Sequence, residues 1–186
     1  AVVATSSLRR RSQILHRRPD VQVVNLRGNV ETRLRKLDEE SLDAIILAEA
    51  GLRRLGLEAN ITEILDRSWM IPAVGQGALG LECRANDEST RALLAGLNDP
   101  PTRAAVLAER AFLRGLGGGC LVPIGSLGEV QNERLHLRGV VLPTDGSQRI
   151  EGEISGPVSE AETLGQTLAK QLLDQGARGL LPRAGV

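Results

Sequence analysis

The chain has 186 residues, 41% of them hydrophobic, and its formal net charge is zero. This size fits one large or two small globular domains, and no apolar run approaches the length of a membrane-spanning helix. Aromatic residues make up 1% of the chain and cysteines number two, so the core must be aliphatic and no disulfide framework is available. The cysteine content indicates a reducing compartment, and we expect a cytoplasmic protein.

Charge is unevenly distributed along the chain. Residues 1–54 hold eleven arginine or lysine residues against seven acidic ones, and only Lys36 and Lys170 of the whole chain are lysine. A basic half in a neutral protein favours an anionic ligand or a nucleic acid. Arginine suits bidentate binding of carboxylates. A general preference for arginine over lysine would explain the same ratio.

The first predicted element is a short apolar strand over Ala1–Ala4. A helix follows, which one of the hydroxyl residues 5–7 would cap at its N-terminus. Such an N-terminus attracts anions because its N–H groups are free and its dipole is positive. Arg9 and Arg10 lie in the first turn, where two cations oppose the dipole, so we expect them to have an anionic partner. A solvated basic face is the alternative.

Strand and helix then alternate twice more. A strand over Val21–Asn25 precedes a helix from about Val30 to Leu37, and a wholly apolar strand over Ala44–Leu47 precedes a short helix closed by Gly56. This order predicts an α/β unit with a mostly parallel sheet. Ligands bind such sheets beyond the carboxyl ends of the strands.

Arginines follow each of the three predicted strands. We therefore expect them to converge on one cleft for an anionic small molecule. The residues concerned are Arg9, Arg10, Arg27, Arg33 and Arg54.

The middle of the chain carries weaker signals. We predict a helical stretch over residues 58–70, a strand-like run over Leu79–Cys83 in which a small buried thiol fits, and a short helix over Thr90–Leu97. Pro100-Pro101 is the clearest candidate for a linker.

The C-terminal part reads as an α+β unit. We predict one helix and then three strands, over Thr102–Leu116, Val122–Val130, Leu135–Leu142 and Gln148–Ser155. Ser159–Glu162 has the sequence of a capping box and would open a last helix that ends at Gly176. The expected structure is a three-stranded antiparallel sheet with helices packed on one face.

A glycine-rich stretch, Gly117-Gly118-Gly119-Cys120, lies between the predicted helix and the first of these strands. Glycine adopts backbone conformations closed to other residues, so the run suits a tight loop. Its thiol could be a nucleophile, a metal ligand or an attachment point, or an inert buried cysteine in a turn. Metal binding is the weakest of these, because Cys83 is the only other cysteine and His16 and His136 show no ligand spacing.

Many short motifs occur in order along nearly the whole chain. They include Thr5-Ser6-Ser7-Leu8-Arg9-Arg10, Leu26-Arg27-Gly28-Asn29-Val30, Thr32-Arg33-Leu34, Gly51-Leu52-Arg53-Arg54-Leu55-Gly56, Pro72-Ala73-Val74-Gly75-Gln76-Gly77-Ala78, Ala108-Glu109-Arg110-Ala111 and Gly118-Gly119-Cys120. One alone would be weak, but together they are highly specific. They resemble the motifs of porphobilinogen deaminases, also called hydroxymethylbilane synthases.

The resemblance implies a transferase that condenses four porphobilinogen units head to tail, with loss of ammonia, and hydrolytically releases a linear tetrapyrrole for haem biosynthesis. It implies three domains, the first two resembling periplasmic binding proteins. It also implies a dipyrromethane cofactor held through a thioether to the loop cysteine, here Cys120. By matching motif, the residues that bind cofactor and substrate would be Thr5, Ser7, Arg9, Arg10, Arg27, Arg33, Arg54 and Gln76.

The sequence departs from this family in one respect. The family's catalytic aspartate lies in a His-Ser-Met-Lys-Asp-type motif of the first domain, and that motif does not occur here. We therefore expect a fragment that lacks most of the first domain and is inactive alone. Residues 1–72 would be the second, anion-binding domain, residues 73–99 a segment of the first domain, and residues 100–186 the third domain with the cofactor cysteine.

The resemblance also shapes the expected partners. We expect porphobilinogen and polypyrrole intermediates as ligands, a monomer when the enzyme is full length, and no metal, nucleic acid or membrane. A periplasmic-binding-type anion-binding module is the alternative, but it gives no role to Cys120. A nucleic-acid-binding protein would lack aromatic stacking platforms, since the chain has one Trp, one Phe and no Tyr.

Overall fold

The first part of the chain alternates strand and helix around a parallel sheet. In the computed structural model, which describes residues 1–118 and 122–181, these elements are β1 (Val2–Ala4), α1 (Leu8–Arg17), β2 (Gln22–Val24), α2 (Val30–Glu39), β3 (Ala44–Ile45) and α3 (Glu49–Arg54). Strand β1 is central and pairs in parallel with both β2 and β3. The predicted α/β unit is confirmed.

The C-terminal part is an antiparallel sheet covered by two helices. After α4 (Glu88–Ala95), its elements are α5 (Pro100–Gly115), β4 (Ile124–Gln131), β5 (Arg134–Val141), β6 (Ile150–Pro157) and α6 (Ala161–Asp174). The strands are ordered β4-β5-β6. The core between sheet and helices is formed by fully buried residues, among them Phe112, Leu135, Leu137, Leu168 and Leu172. This confirms the predicted three-stranded α+β unit.

Four helices begin where a short polar side chain satisfies a free N–H of the first turn. Ser7 Oγ accepts from the Arg10 amide, Asn29 Oδ1 from Thr32, Asp87 Oδ1 from Thr90 and Asp99 Oδ1 from Thr102. The Asp99 cap also corrects the linker prediction. Pro100 and Pro101 are the first residues of α5, where a missing N–H costs nothing and a fixed φ suits the helix.

Three further predictions of local structure were wrong. Residues 58–70 form a single 3₁₀ turn at Glu58–Asn60, and Asp66 then turns the chain by accepting from the Ser68 amide. Leu79–Cys83 forms no strand. The residues of the supposed capping box lie in and after a 3₁₀ turn at Val158–Glu160, and α6 begins at Ala161 without a side-chain cap.

The glycine run closes α5. Gly117 has a φ of +66°, its N–H bonds to the Arg114 carbonyl, and the Gly118 N–H bonds to the Leu113 carbonyl. This pair of bonds is a Schellman motif, which requires a left-handed residue of the kind glycine provides. A Cβ on Gly118 would lie 2.6 Å from Ile124 Cδ1, so a side chain there would displace that methyl group. Cys120 follows this helix end in the sequence and lies outside the described residues.

Residues 73–99 contain α4 and expose much apolar surface. Leu79 is 96% exposed, Leu93 79% and Leu97 70%. Large apolar side chains are thus exposed at both ends of this segment. That these residues complete another domain stays a prediction.

Within residues 1–118 and 122–181, no helix is both long enough and apolar enough to cross a lipid bilayer.

Candidate functional site

The first turn of α1 places two arginine side chains beyond the end of the parallel sheet. Arg9 is 8% exposed, and its Nη1 donates to the Ile71 carbonyl at 2.6 Å while Nη2 donates to Gln76 Oε1 at 3.3 Å. Arg10 Nη1 donates to the Ile46 carbonyl, just past β3, at 2.9 Å. Both guanidinium groups thus lie where ligands bind in parallel sheets.

These two guanidinium groups make the site positively charged, and burial disfavours their charged forms. Burial, and then the charge of Arg10, lowers the pKa of Arg9 to about 10. The pKa of Arg10 is also lowered, by burial first and then by the charge of Arg33. The cluster of Arg9, Arg10 and Arg33 therefore concentrates positive charge that an anion would relieve.

The predicted site arginines have no carboxylate partner in the described part of the chain. Elsewhere in residues 1–54, Arg18, Arg35 and Arg53 each pair with an acidic side chain. The arginines without an ion pair among the described residues include Arg9, Arg10, Arg27, Arg33 and Arg54. Arg11 and Arg17 also lack an ion pair, so the first part of the described chain carries several cations without acidic partners.

Three other predicted site residues, Thr5, Ser7 and Arg27, lie in or beside the loop between β1 and α1. Thr5 is buried and its Oγ1 accepts from the Ser7 amide, and Ser7 caps α1. Arg27 follows Leu26, whose backbone N–H and carbonyl both bond to Ser6 Oγ, so its backbone lies beside the β1–α1 loop.

The structure brings Arg9, Arg10, Arg33 and Gln76 together. Arg27 and Arg54 are exposed and make no hydrogen bond to that group within the described residues, so their convergence on the same cleft stays a prediction.

Residues 70–76 form a strap between α1 and the C-terminal sheet. The Gln13 side chain bonds both backbone groups of Ile71: Oε1 accepts from its N–H at 2.8 Å and Nε2 donates to its carbonyl at 3.0 Å. On the other side, the Ser126 amide of β4 donates to the Pro72 carbonyl at 3.0 Å. A Cβ on Gly125 would lie 3.0 Å from the Ile71 oxygen, so β4 approaches this strap closely.

Glu109 of α5 binds the same strap from the C-terminal part. One carboxylate oxygen accepts from the Gly75 amide, and the other accepts from the Gly128 amide of β4 at 2.8 Å. Burial raises the pKa of Glu109, and the two N–H donors only partly offset that effect. No role for Glu109 or Gln13 was predicted from the sequence. The signal for Glu109 was its position between Ala108 and Ala111 on the buried face of a helix.

The raised pKa of Glu109 gives a pH prediction. The folded state holds this proton more tightly than the unfolded state, in which the pKa of Glu109 is near 4.5. The free energy of unfolding should therefore fall as the pH rises from 4.5 through the raised pKa of the folded state. Denaturant unfolding at several pH values should show this slope for wild type and lose it in Glu109→Gln. An unchanged pH slope in the variant would contradict the assignment.

The structure describes one of the two cysteines, Cys83. Cys83 is half-buried in an irregular stretch, so the predicted buried strand position is wrong. Cys120 lies outside the described residues, but the chain on its C-terminal side enters β4 next to the strap that holds Arg9. Among the described residues, no group of three or more His, Cys, Asp or Glu side chains is placed to hold a metal ion.

Comparison with known proteins decides the family. Residues 1–92 match the model of the porphobilinogen deaminase dipyromethane cofactor binding domain, and residues 103–174 match that of the porphobilinogen deaminase C-terminal domain. The chain belongs to the porphobilinogen deaminase family. The family expected from the motifs is thus confirmed, and a free-standing periplasmic-binding-type module is not favoured.

Curated porphobilinogen deaminases are similar along nearly the whole chain. The protein of Pelobacter propionicus is 53% identical over 181 residues, and that of Syntrophotalea carbinolica is 51% identical over 181 residues; both alignments cover 97% of this chain. That of Desulforudis audaxviator is 51% identical over 183 residues. The chain spans only 58–59% of the length of these relatives.

Proposed function

We propose that this chain forms the anion-binding and cofactor-carrying part of a hydroxymethylbilane synthase. The enzyme would join four porphobilinogen units with loss of ammonia and release the linear tetrapyrrole by hydrolysis. The observation that carries the proposal is the cluster of Arg9, Arg10 and Arg33 without acidic partners among the described residues. Family membership supports it.

The charge of the substrate fits this cluster. Each porphobilinogen unit carries an acetate and a propionate group, so a growing chain accumulates carboxylates. Arginine offers planar pairs of N–H donors that stay ionised, and a carboxylate can accept two of them at once. Arg9, held by Ile71 and Gln76, is oriented before any ligand arrives, so little side-chain entropy is lost on binding.

A dipyrromethane cofactor fits the same region. Bound through Cys120, it would supply the pyrrole end to which each new unit is joined, and its carboxylates would require cationic partners. Residues 124–126 of β4, which follow the cysteine loop, lie against the strap whose Ile71 carbonyl orients Arg9. Arg9 and the strand that follows the cysteine in sequence therefore contact the same short segment.

The domain assignment belongs to the same proposal. Residues 1–72 would form the second domain, 73–99 a segment of the first domain, and 100–186 the third domain. The exposed leucines of residues 73–99 support the middle assignment, because a first domain would cover them. We further propose a cytoplasmic enzyme, monomeric at full length, whose partners are pyrrole carboxylates rather than nucleic acid or membrane.

Arg27 provides the direct test of ligand binding. Arg27→Leu should weaken binding of porphobilinogen by tenfold or more, since a charge-assisted hydrogen bond contributes roughly 1.5–3 kcal/mol. Titration calorimetry measures this. The matched control is Arg35→Leu, which removes an equally exposed arginine that pairs with Glu39. Equal affinity for wild type and Arg27→Leu, or equal losses in both variants, would contradict the assigned role.

A further inference from the structure

Two charged residues are buried in the described part of the chain, and they lie on opposite sides of one turn. Arg9 is 8% exposed and Glu109 is 6% exposed. They form no ion pair with each other. Each is bonded instead to the segment between them: Arg9 to Ile71 and Gln76, and Glu109 to Gly75.

Gly75, which bonds to Glu109, and Gln76, which bonds to Arg9, are consecutive residues of one hydrogen-bonded turn. The Gln76 amide donates to the Ala73 carbonyl, and Gln76 Oε1 accepts both from the Ala73 amide and from Arg9. Gly75 has a φ of +68°, which places its N–H toward Glu109 and which other residues rarely adopt. A displacement of Gly75 would therefore move Gln76 Oε1, one of the two oxygens that orient the Arg9 guanidinium.

Glu109 is itself rigidly held. Its second oxygen accepts from the Gly128 amide of β4, and α5 lies so close there that a Cβ on Gly128 would be 3.0 Å from the Ala105 Cα. Burying a carboxylate is unfavourable unless its oxygens are bonded, and both oxygens here are bonded to backbone N–H groups. The acidic group thus ties the turn to a fixed point of the C-terminal sheet.

We propose that Glu109 is a positioning residue that orients Arg9 for anion binding by fixing the Gly75-Gln76 turn. The inference rests on the proposed function for the identity of the anion, but the orientation of Arg9 can be measured without ligand. Helix α5, which precedes Cys120 in the sequence, would then also help to orient an anion-binding arginine.

The first test needs no variant. In wild-type protein, hydrogen exchange followed by NMR should show the Gly75 amide strongly protected and the nearby Gly77 amide unprotected. The Gly77 amide is the control because it belongs to the same loop. Equal exchange of the two amides would overturn the proposal.

The second test is Glu109→Gln, which keeps the shape but presents an NH₂ group to one of the two N–H donors. The Arg9 side-chain N–H signals should then show free rotation of the guanidinium, and the porphobilinogen dissociation constant should rise about tenfold. The control is Glu162→Gln, an exposed acid in the same domain that pairs with Arg114. Unaltered Arg9 signals in Glu109→Gln would refute the proposal.

A double variant separates positioning from general damage. If Glu109 acts through Arg9, then Arg9→Met combined with Glu109→Gln should bind porphobilinogen no more weakly than Arg9→Met alone. Additive losses would overturn the proposal. If wild type binds no porphobilinogen while Glu109→Gln still releases Arg9, the proposed function fails and the positioning role stands.

Discussion

In the full-length enzyme, Cys120→Ser is expected to abolish covalent attachment of the dipyrromethane and nearly all tetrapyrrole formation. Forming the thioether requires sulfur to attack an electrophilic azafulvene, and the thiolate is the reactive form of cysteine. A serine hydroxyl is almost fully protonated near neutral pH and is a far weaker nucleophile. The loss should therefore be one of attachment, visible in the intact mass before any assay of activity.

Cys83→Ala is the matched control for that experiment. Cys83 is half-buried in an irregular stretch, among residues that we assign to another domain. The variant should therefore keep both cofactor and activity. Intact-mass measurement followed by peptide mapping locates the added mass of two porphobilinogen units less ammonia. Finding this mass on Cys83, or full loading of a Cys120→Ala protein, would refute the assignment of Cys120.

The sequence predicted those elements whose signals are local. Apolar spacing identified α1, α2 and α5, and a hydroxyl cap was expected for α1, because such signals lie within a few residues of each other. The helical prediction for residues 58–70 failed for the opposite reason. Their conformation depends on the Asp66 turn and on contacts of residues 70–72 with α1 and β4, which no periodicity records.

The candidate site was predictable to a similar degree. Arg9, Arg10 and Arg33 were found because strand ends of a parallel sheet share one edge and because their motifs resemble a family. Glu109 and Gln13 were missed because their partners are backbone groups of Gly75, Gly128 and Ile71, far away in sequence. Backbone partners leave no complementary charge in the sequence by which such a residue could be recognised.

Packing between α5 and α6 yields the largest expected change in stability. Gly165 lies in the middle of α6, where helix propensity alone would favour alanine by about 1 kcal/mol. A Cβ there, however, would collide with the Ala108 carbonyl oxygen and lie 2.8 Å from the Ala111 Cβ and 2.9 Å from the Phe112 amide nitrogen. Two of these neighbours are backbone atoms of α5, so the helices must separate above a fully buried Phe112.

We therefore expect Gly165→Ala to lower the free energy of unfolding by about 3 kcal/mol, the upper end for overpacking a core. Urea unfolding followed by circular dichroism measures the change. Gly179→Ala is the control, because a Cβ at Gly179 meets nothing within 4 Å and its stability should barely change. Propensity and packing predict opposite signs at Gly165. A Gly165→Ala protein as stable as the control would show that the two helices can separate without cost.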